Sequence, residues 1–380
     1  MSLLVISFDA VADYVFNEMA SDENLYPNIA KFKKNSYYRD KVTTSFISNT
    51  YPIHTTISTG KPPKKHGIIG NKLNDGRGPW AQEGKLIKCK TIWQAAKEKK
   101  LKTAALLWPV TCGEKIDYHL PEVHVNRGEN RLIKHLKYGS PIFQIKGMLK
   151  HIKLLQGFSE NSMGKNNIAI NLDRFTTNIA SDLFKSSKKV DLALVHLISY
   201  DTIFHHVGSK GKALAHAKKS LDENLGKLLK AWRGKVLVFS DHAQLDVEET
   251  VNLHKLYGNI VHQQGGSAFF KREVEGIEKM PWFGRFLTEE ELDYAGYKGF
   301  MGIAAKIGYS FVTLKFKGDH GYPVDYPNYN TFYTFYGSKL DKSKLIGHIT
   351  DVTYIIAKEL GLNMDIIKER ESLVPVMGAI

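Results

Sequence analysis

Three apolar segments of the chain run into aspartates at their carboxyl ends. They are Leu3–Phe8 before Asp9, Leu192–Ile198 before Asp201, and Val236–Ser240 before Asp241. Continuous apolar runs of this length are typical of central parallel strands that are covered by helices on both faces. Because ligands bind beyond the carboxyl ends of such strands, we expect the three carboxylates to converge on one edge of a sheet. With histidines close by, this pattern indicates a metal site.

Three histidines complete the candidate donor set. Asp201 and His205 are four residues apart, so on a helix they face the same way and can chelate one ion. His242 directly follows Asp241 at a strand end, and His320 lies in a Gly-Asp-His-Gly turn. Imidazole and carboxylate ligands suit zinc, manganese or iron better than magnesium. Three aspartates and three histidines are enough for two ions with positions left open for a substrate.

A hydroxyl group stands beside this donor set as a candidate nucleophile. Pro52 favours the first residue of a helix, so we expect Thr50 just ahead of a helix N-terminus. Free backbone N–H groups and the helix dipole favour an anion there. A threonine hydroxyl is a poor nucleophile unless a metal or a base removes its proton. From the residues alone, Thr50 is either a plain N-cap or a nucleophile.

Each of these elements has an ordinary structural explanation when it is taken singly. An aspartate after a strand is commonly an N-cap or a loop residue. The joint occurrence of all the elements, in order, on a chain of α/β pattern favours the metal site. The remaining histidines of interest show no comparable placement and are expected to be ordinary core or surface residues: His54, His66, His206 and His262.

The fold class follows from apolar strands that alternate with amphipathic helices. This alternation is typical of βαβ units, and we expect an α/β protein with a mostly parallel central sheet. We interpret residues 1–380 as a single domain. Residues 113–168, which are basic, and residues 246–310 fit the alternation poorly and are interpreted as insertions that cap the sheet edge. Ser310–Leu314 is expected to be a strand.

The chain carries a net charge of +14, which attracts anions such as phosphate esters, nucleic acid or acidic lipid headgroups. Part of the excess lies between Arg131 and Lys165, where the only acid is Glu160. This stretch is either a solvated basic face or a lid that steers anions to the site. It lacks the aromatic residues and motifs of a nucleic-acid-binding surface, so no specific nucleic acid recognition is expected.

The number of cysteines and the length of the apolar segments indicate the cellular compartment of the protein. Only Cys89 and Cys112 are present, which excludes a disulfide framework and favours a reducing compartment. The N-terminal residues do not contain a basic region, a long apolar region and a cleavage site of small residues, so we expect no secretory signal and predict a cytoplasmic location. No stretch approaches the roughly 20 apolar residues of a membrane span. The sequence carries no signal for an oligomeric state.

The motifs resemble those of the alkaline phosphatase superfamily, in its nucleotide pyrophosphatase/phosphodiesterase (type I phosphodiesterase) branch. The similar segments are Thr-Tyr-Pro-x-His at 50–54, Thr-Gly-x-x-Pro-x-x-His-Gly-Ile-x-x-Asn at 59–71, Asp-x-x-x-His at 201–205, Ser-Asp-His at 240–242 and His-Gly at 320–321. The resemblance runs from residue 1 to the closing helix and is weakest over the two expected insertions. It implies an alkaline-phosphatase-like three-layer α/β/α sandwich with cap insertions.

The resemblance also implies two divalent metal ions, zinc by family usage with manganese as the alternative. The ligand sets that carry over are Asp201, His205 and His320 for one ion, and Asp9, Asp241 and His242, together with Thr50, for the other. Thr50 matches the nucleophile that forms a phospho-threonine intermediate, and Asn71 matches an amide that hydrogen-bonds a phosphoryl oxygen. Tyr51 matches an aromatic residue that stacks on a nucleobase or leaving group. The second stacking aromatic falls at His196, a departure from the family pattern.

The expected function is a two-metal hydrolase that cleaves phosphodiester or pyrophosphate bonds in a small anionic substrate. Pro62-Pro63 and the Gly-Asn pair ending at Asn71 also resemble phosphonoacetate hydrolase, so a carbon–phosphorus hydrolase acting on a phosphonate is the alternative. A phosphomonoesterase is less favoured, because the arginine that grips a doubly charged monoester has no clear counterpart. A basic polyanion-binding module without turnover is the alternative from another class.

Overall fold

The alternating apolar segments form the strands of this protein in a computed structural model. The structure describes residues 2–74, 76–126, 128–155 and 162–365, without the side chains of residues 155 and 162–167. In these ranges the strands are β1 (Leu3–Phe8), β2 (Tyr37–Val42), β3 (Thr103–Leu106), β4 (Tyr118–Leu120), β5 (Leu192–Leu197), β6 (Lys235–Ser240), β7 (Leu245–Thr250), β8 (Ile260–Gln264), β9 (Ser267–Phe270), β10 (Phe283–Phe286), β11 (Met301–Ala305), β12 (Gly308–Ser310), β13 (Gly318–Asp319) and β14 (Thr331–Tyr336).

Helices alternate with the strands through most of the chain. The α-helices are α1 (Asp13–Ser21), α2 (Pro27–Lys34), α3 (Thr50–Thr59), α4 (Pro63–His66), α5 (Ile92–Glu98), α6 (Arg131–Tyr138), α7 (Pro141–His151), α8 (Ser162–Lys185), α9 (Ser199–Val207), α10 (Lys212–Ala231), α11 (Leu253–Leu256), α12 (Glu289–Ala295) and α13 (Thr350–Leu360). Short 3-10 helices lie at Gly84–Leu86, Ile152–Leu155, Ile277–Lys279 and Lys342–Lys344. Among the described residues, no helix combines the length and the apolar character that crossing a bilayer requires.

The central sheet has seven strands in the order β2-β14-β6-β1-β5-β3-β4. Strand β14 is antiparallel to both of its neighbours, and the other pairs are parallel. Phe8, the last residue of β1, pairs with Leu197 of β5 on one side and with Ser240 of β6 on the other. Because the three strands end at one level, the acids that follow them emerge at the same sheet edge, as the sequence predicted.

Successive side chains of β1 enter two separate cores. Leu4 and Ile6 pack with residues of α1, α2, α8, α9 and α10, whereas Leu3 and Val5 pack with residues of α3, α5 and α13. Both faces of the strand are therefore covered by helices, which explains why its sequence is apolar without interruption. The predicted α/β class, a three-layer sandwich around a mostly parallel sheet, is confirmed.

The two segments that fitted the alternation poorly are built differently. In the basic segment, β4 pairs in parallel with β3 and extends the central sheet, so residues 118–120 are part of the main layer. Residues 156–161 and the side chain of Lys165 lie outside the described residues. Residues 246–310 contribute most of two smaller sheets, with the orders β10-β11-β9-β8 and β12-β7-β13. The single-domain interpretation stays a prediction.

The prediction of a strand over Ser310–Leu314 was wrong. Strand β12 pairs with β7 only as far as Ser310. The backbone N–H of Phe311 donates to the carbonyl of Gly265 at 2.7 Å, which takes the chain away from β7. The residues that follow do not continue the strand and instead line a cavity.

A buried carboxylate on α8 fixes the start of α9, which carries two of the predicted site residues. Asp173 is fully buried and accepts the backbone N–H groups of Ile198 at 2.8 Å and Ser199 at 3.0 Å. Burial raises the pKa of Asp173 to about 6, although these hydrogen bonds oppose the shift. Amides at a helix N-terminus have no partner within the helix, so Asp173 supplies the acceptor that they need.

We expect Asp173→Ala to lower the free energy of unfolding by about 3 kcal/mol, because two buried N–H groups would lose a charged acceptor. The matched control is Asp182→Ala on the same helix, whose half-exposed carboxylate pairs with Lys150 and His151. That variant should lose less than about 1 kcal/mol. Urea denaturation followed by circular dichroism measures both, and equal losses would contradict the role of Asp173.

Candidate metal and catalytic site

Asp9, Asp241 and His242 come together where β1 and β6 end. His242 Nε2 lies 3.5 Å from Asp9 Oδ1 and 3.3 Å from Asp241 Oδ2. The three side chains are buried, and each offers a donor atom within 4.8 Å of the other two. The family resemblance implied that these same three residues hold one ion.

A second group of donors lies beside the first. Asp201 Oδ1 is 3.4 Å from His205 Nε2 and 3.8 Å from His320 Nε2. Asp201, His320 and His242 offer donor atoms within 4.8 Å of one another, so His242 connects the two groups. The structure therefore brings all six predicted donors into one cluster. It adds Asp319, which forms a further group with His205 and His320 and which the sequence reasoning did not select.

Backbone and side-chain acceptors orient the three imidazoles. His205 Nδ1 lies 2.8 Å from the carbonyl of Gly318, and His242 Nδ1 lies 3.2 Å from the carbonyl of Ala243. His320 Nδ1 lies 2.5 Å from Asn49 Oδ1. Because a carbonyl oxygen can only accept, each Nδ1 is the donor, and each Nε2 is left to face the carboxylates. Fixing the tautomer in this way is the usual arrangement around histidine metal ligands.

The carboxylates at this sheet edge suit a cation. Burial, followed by repulsion from Asp241 and Asp201, raises the pKa of Asp9 well above its ordinary value, and burial also raises the pKa of Asp241. Asp9 Oδ1 and Asp241 Oδ2 are buried, and neither accepts a hydrogen bond from any described residue. Buried charged oxygens without donors are costly unless a cation neutralises them. The residues present therefore fit a divalent metal ion.

The second group has a different charge balance. Burial opposes ionisation of Asp201, but the neighbouring His205, His320 and His242 together outweigh burial and lower the pKa of that carboxylate. Although burial disfavours its protonated form, Asp201 raises the pKa of His205 to about 9. The pKa of His320 is lowered well below its ordinary value by burial and then by His242 and His205. Asp201 is thus an ionised acceptor, and His320 is a neutral donor of a lone pair.

Thr50 lies at the start of α3 and faces the first group. Its Oγ1 is 3.2 Å from His242 Nε2. The prediction that Thr50 precedes the helix was wrong by one residue, because Asn49 takes the N-cap position and Thr50 is the first helical residue. Pro52 is tolerated at the third helical position, since the first N–H groups of a helix have no intrahelical partner. The side chain still points to the cluster.

Asn71 and Tyr51 lie on the wall of a cavity of about 580 Å³ above the cluster. Asn71 Oδ1 accepts the backbone N–H of Tyr51 at 2.9 Å. This bond fixes the orientation of the Asn71 side chain, so its NH2 group is the part that can donate toward a ligand. The pairing places the predicted phosphoryl-binding amide next to the predicted nucleophile.

An aromatic and cationic part of the same cavity was missed by the sequence reasoning. The Trp80 ring lies 5.4 Å from the Tyr51 ring and stacks on His124 at 3.8 Å between centroids. Lys72 and Arg77 also line the cavity, and Lys72 Nζ lies 5.7 Å from the Trp80 ring. These residues come from loops without periodicity, and the sequence offered only the turn residues around Trp80 as a signal.

Glu122 contacts the His124 ring in this wall of the cavity. Its Oε1 lies 3.2 Å from His124 Nε2. Burial opposes ionisation of Glu122, but His124, His196 and Tyr51 together outweigh burial and lower the pKa of the carboxyl group. The ionised carboxylate therefore holds the His124 ring in the plane that stacks on Trp80.

The expectation that His196 takes the second stacking position was wrong. His196 lies within β5 and is fully buried, with Nε2 3.2 Å from Asp9 Oδ2 and Nδ1 3.2 Å from the carbonyl of Leu107. Because side chains alternate across a strand, residue 196 faces the layer that contains α3 and does not line the cavity. It supports Asp9 from behind.

Three of the histidines expected to be ordinary residues lie at the site. His54 Nδ1 is 2.9 Å from the carbonyl of Thr50 and 3.4 Å from Asp241 Oδ2, and His206 and His262 line the cavity. Position 54 is one helical turn after Thr50, a spacing that puts both residues on one face of α3 and could have revealed it. His66 is a buried core residue, as predicted.

The comparisons with known proteins agree with this geometry. A family model described as type I phosphodiesterase / nucleotide pyrophosphatase matches residues 3–282. Ectonucleotide pyrophosphatase/phosphodiesterase family member 1 of Homo sapiens is 33% identical over 93 residues, which are 22% of this chain and 10% of that protein. A bis(5'-adenosyl)-triphosphatase of Xenopus laevis is 26% identical over 129 residues, 31% of this chain and 25% of that protein. The matched segments are thus a minor part of these relatives.

Solved structures extend the likeness over the whole fold. Murine ectonucleotide pyrophosphatase/phosphodiesterase 5 is 17% identical and covers 96% of each chain with a TM-score of 0.67, and human ectonucleotide pyrophosphatase/phosphodiesterase 5 gives the same values. An inactive variant of the murine protein was solved in complex with AMP. At this identity the likeness establishes the shared fold. By the extent of the family match, the chain belongs to the type I phosphodiesterase / nucleotide pyrophosphatase family of enzymes, as its motifs predicted.

Proposed function

We propose that this chain is a metal-dependent hydrolase that cleaves phosphodiester or pyrophosphate bonds of a small nucleotide-like substrate through a phospho-threonine on Thr50. The observation that carries the proposal is the position of the Thr50 hydroxyl, 3.2 Å from His242 Nε2 at the floor of the cavity. Family membership supports the reaction class. The AMP complex of the murine structural neighbour and the triphosphatase name of the Xenopus laevis relative support a nucleotide-like substrate.

Asp9, Asp241 and His242 would hold one divalent ion, and Asp201, His205 and His320 the other, with zinc proposed and manganese as the alternative. Bound there, such ions supply positive charge that lowers the pKa of a neighbouring hydroxyl and offsets negative charge on phosphoryl oxygens. Asp319 accepts the backbone N–H of His320 at 2.9 Å and bonds to Ser310 Oγ, so we assign it to holding His320 in place.

In the proposed reaction, Thr50 Oγ attacks phosphorus in line with the leaving oxygen. A Thr50–phosphorus bond forms as the bond from phosphorus to the leaving group breaks. Water then attacks the phospho-threonine, which releases the phosphoryl product and restores the hydroxyl group. The NH2 group of Asn71 donates to a phosphoryl oxygen while charge develops on it.

We assign substrate selection to the aromatic and cationic residues that line the cavity. The partly exposed Trp80 ring offers an aromatic surface for a planar leaving group, such as a nucleobase, and the buried Tyr51 ring packs behind it at 5.4 Å. Lys72 and Arg77 provide positive charge on the cavity lining, which attracts anionic substrates. The cavity of about 580 Å³ is within the usual range for a small-molecule site.

The carbon–phosphorus hydrolase alternative gains no support from the cavity. Pro62 is the N-cap of α4 and Pro63 is its first residue, and neither lines the cavity. Asn71 alone does not distinguish a phosphonate from a phosphate ester. An assay panel of bis-p-nitrophenyl phosphate, p-nitrophenyl phosphate, a dinucleoside polyphosphate and phosphonoacetate separates the classes. The absence of turnover with every substrate, in protein shown to contain metal, would favour the polyanion-binding module. The cytoplasmic location stays a prediction.

For the metal assignment, we expect two zinc ions per chain in protein loaded and then freed of excess metal, measured by mass spectrometry of the metals. Asp241→Asn should lose one ion, because a neutral amide replaces a buried carboxylate ligand. The control Asp293→Asn removes a half-exposed carboxylate that pairs with Lys64 and should keep both ions. An Asp241→Asn protein with full metal content would contradict the assignment.

For the nucleophile, we expect Thr50→Val to lower kcat/KM at least about a thousandfold, as loss of a nucleophile does in other hydrolases. Valine keeps the shape of threonine, so the fold and the metal content should stay near those of the unaltered protein. Thr50→Ser keeps a hydroxyl group and should retain measurable turnover. Near-normal hydrolysis by Thr50→Val, measured with bis-p-nitrophenyl phosphate, would rule out the covalent scheme.

For the aromatic wall, we expect Trp80→Ala to lower kcat/KM for a dinucleoside polyphosphate about tenfold, because stacking on a base contributes about 1–3 kcal/mol. The effect should appear mainly in KM, since Trp80 lies away from the reacting hydroxyl. Trp80→Phe keeps a stacking ring and serves as the control. If both variants match the unaltered protein, the leaving group does not bind at Trp80.

A further inference from the structure

Exposed apolar side chains are concentrated on α6, α7 and the 3-10 turn after them. Of the thirteen large hydrophobic residues that are exposed in the described part of the chain, six fall between positions 132 and 152. They are Leu132 at 52% exposure, Ile133 at 65%, Ile142 at 73%, Ile145 at 42%, Leu149 at 72% and Ile152 at 46%. These six residues are named the α6–α7 face. Exposed hydrophobic residues scattered singly are ordinary, whereas several on neighbouring turns of one helix are typical of an interaction surface.

The spacing of the α6–α7 face places most of it on one side of α7. Ile142, Ile145, Leu149 and Ile152 recur every three or four residues, so they form one stripe along the helix and the turn that follows. A helix with a core-facing stripe would bury these residues. Here they point outward, and the stripe lacks a partner among the described residues.

The opposite side of α7 is packed against the protein. Gln144 is fully buried, and its Nε2 donates to the carbonyl of His135 at 2.9 Å. A Cβ at Gly147 would come within 2.8 Å of Ile179 on α8, so the glycine allows the two helices to approach closely. Phe143 packs edge-on against Tyr118 at 5.8 Å. The α6–α7 face is therefore a surface held in place from beneath.

Positive charge borders this apolar stripe without any acid in the same segment. Residues 131–155 contain six lysines and arginines and no aspartate or glutamate. Lys146, Lys150 and Lys153 are exposed, and each follows an apolar residue of the face by one position. Lys150 is paired with Asp182 at 2.8 Å, whereas Lys146 and Lys153 have no acidic partner among the described residues.

We propose that the α6–α7 face docks on the surface of an anionic lipid bilayer. The aliphatic tips would enter the boundary between headgroups and acyl chains, and the lysines beside them would contact the anionic headgroups. This combination fits a bilayer better than a nucleic acid, because the stripe holds no exposed aromatic ring on which a base could stack. It fits a bilayer better than a protein partner, because lysine is depleted in protein–protein interfaces.

Docking there would involve the chain next to the cavity. The segment that supplies Glu122 and His124 to the cavity wall leads directly into α6. Asn130 lies at the end of this segment and caps α6, because its Oδ1 accepts the backbone N–H of Ile133 at 3.1 Å. The lipid-binding surface and the cavity wall are thus consecutive pieces of the chain, although docking itself does not depend on the proposed reaction.

The test is co-sedimentation of the full chain with vesicles of phosphatidylcholine alone or of phosphatidylcholine with one third phosphatidylserine. We expect binding to the anionic vesicles that falls as sodium chloride is raised, and little binding to the neutral ones. Ile142→Ser with Leu149→Ser, and separately Lys146→Glu with Lys153→Glu, should each weaken binding at least about tenfold. All four positions lie outside the cavity lining, so turnover of a soluble diester should be unchanged.

The matched controls are Leu256→Ser with Ile307→Ser, which removes exposed apolar residues elsewhere, and Lys31→Glu with Lys230→Glu, which makes the same change in net charge. Both controls should bind as the unaltered chain does. Failure to bind anionic vesicles, or equal binding by the face variants, would overturn the proposal. So would a dimer in light scattering that dissociates in the apolar variant, or tighter binding of an RNA oligonucleotide than of the vesicles. None of these outcomes depends on catalytic activity.

Discussion

The gathering of negative charge at the buried ends of β1, β5 and β6 is the constraint on which this structure depends. Asp9 and Asp241 are both almost fully buried, and each has an oxygen that receives no hydrogen bond from the described residues. Carboxylates in such surroundings either bind protons or require a cation. The sheet causes this concentration of buried carboxylates, because parallel strands that pair in register place the residues after their ends side by side. The same arrangement makes the edge a metal site.

Much of the surrounding structure serves to orient this cluster. Asp173 fixes the start of α9, and acceptors on the Nδ1 atoms of the three histidines turn each Nε2 toward the carboxylates. His54 and His196 lie behind Asp241 and Asp9 and do not line the cavity. Fixed side chains of this kind keep donors in position without a rearrangement at the moment of binding.

Positive charge predominates outside the acidic cluster. The cavity contains the acidic cluster, whereas Lys72 and Arg77 also line it and the whole chain carries a net charge of +14. An anionic substrate is therefore attracted toward the cavity, and cations at the floor are needed before it can approach the carboxylates. The basic segment that includes α6 and α7 contributes to this attraction, but its exposed aliphatic residues set it apart from a solvated charged face.

Local periodicity and strand ends determined a large part of this protein in advance. Apolar runs predicted β1, β5 and β6, and their parallel register brought Asp9, Asp201 and Asp241 to one edge, because a parallel sheet aligns strand ends. Helical spacing paired Asp201 with His205. The motifs around Thr50 and Asn71 identified the family, although the N-cap proved to be Asn49 rather than Thr50.

Tertiary packing decided what no local pattern encodes. His54 and His196 became supports of the acidic cluster because the face of a strand or helix that meets the site depends on how the layers pack. Trp80 and His124 met across separate loops, and such contacts leave no periodicity in a sequence. The same reason applies to β4, which joined the central sheet from within a segment whose composition indicated an insertion. The sequence by itself determined the chemistry at the strand ends, whereas the shape of the cavity above them was decided by contacts between distant segments.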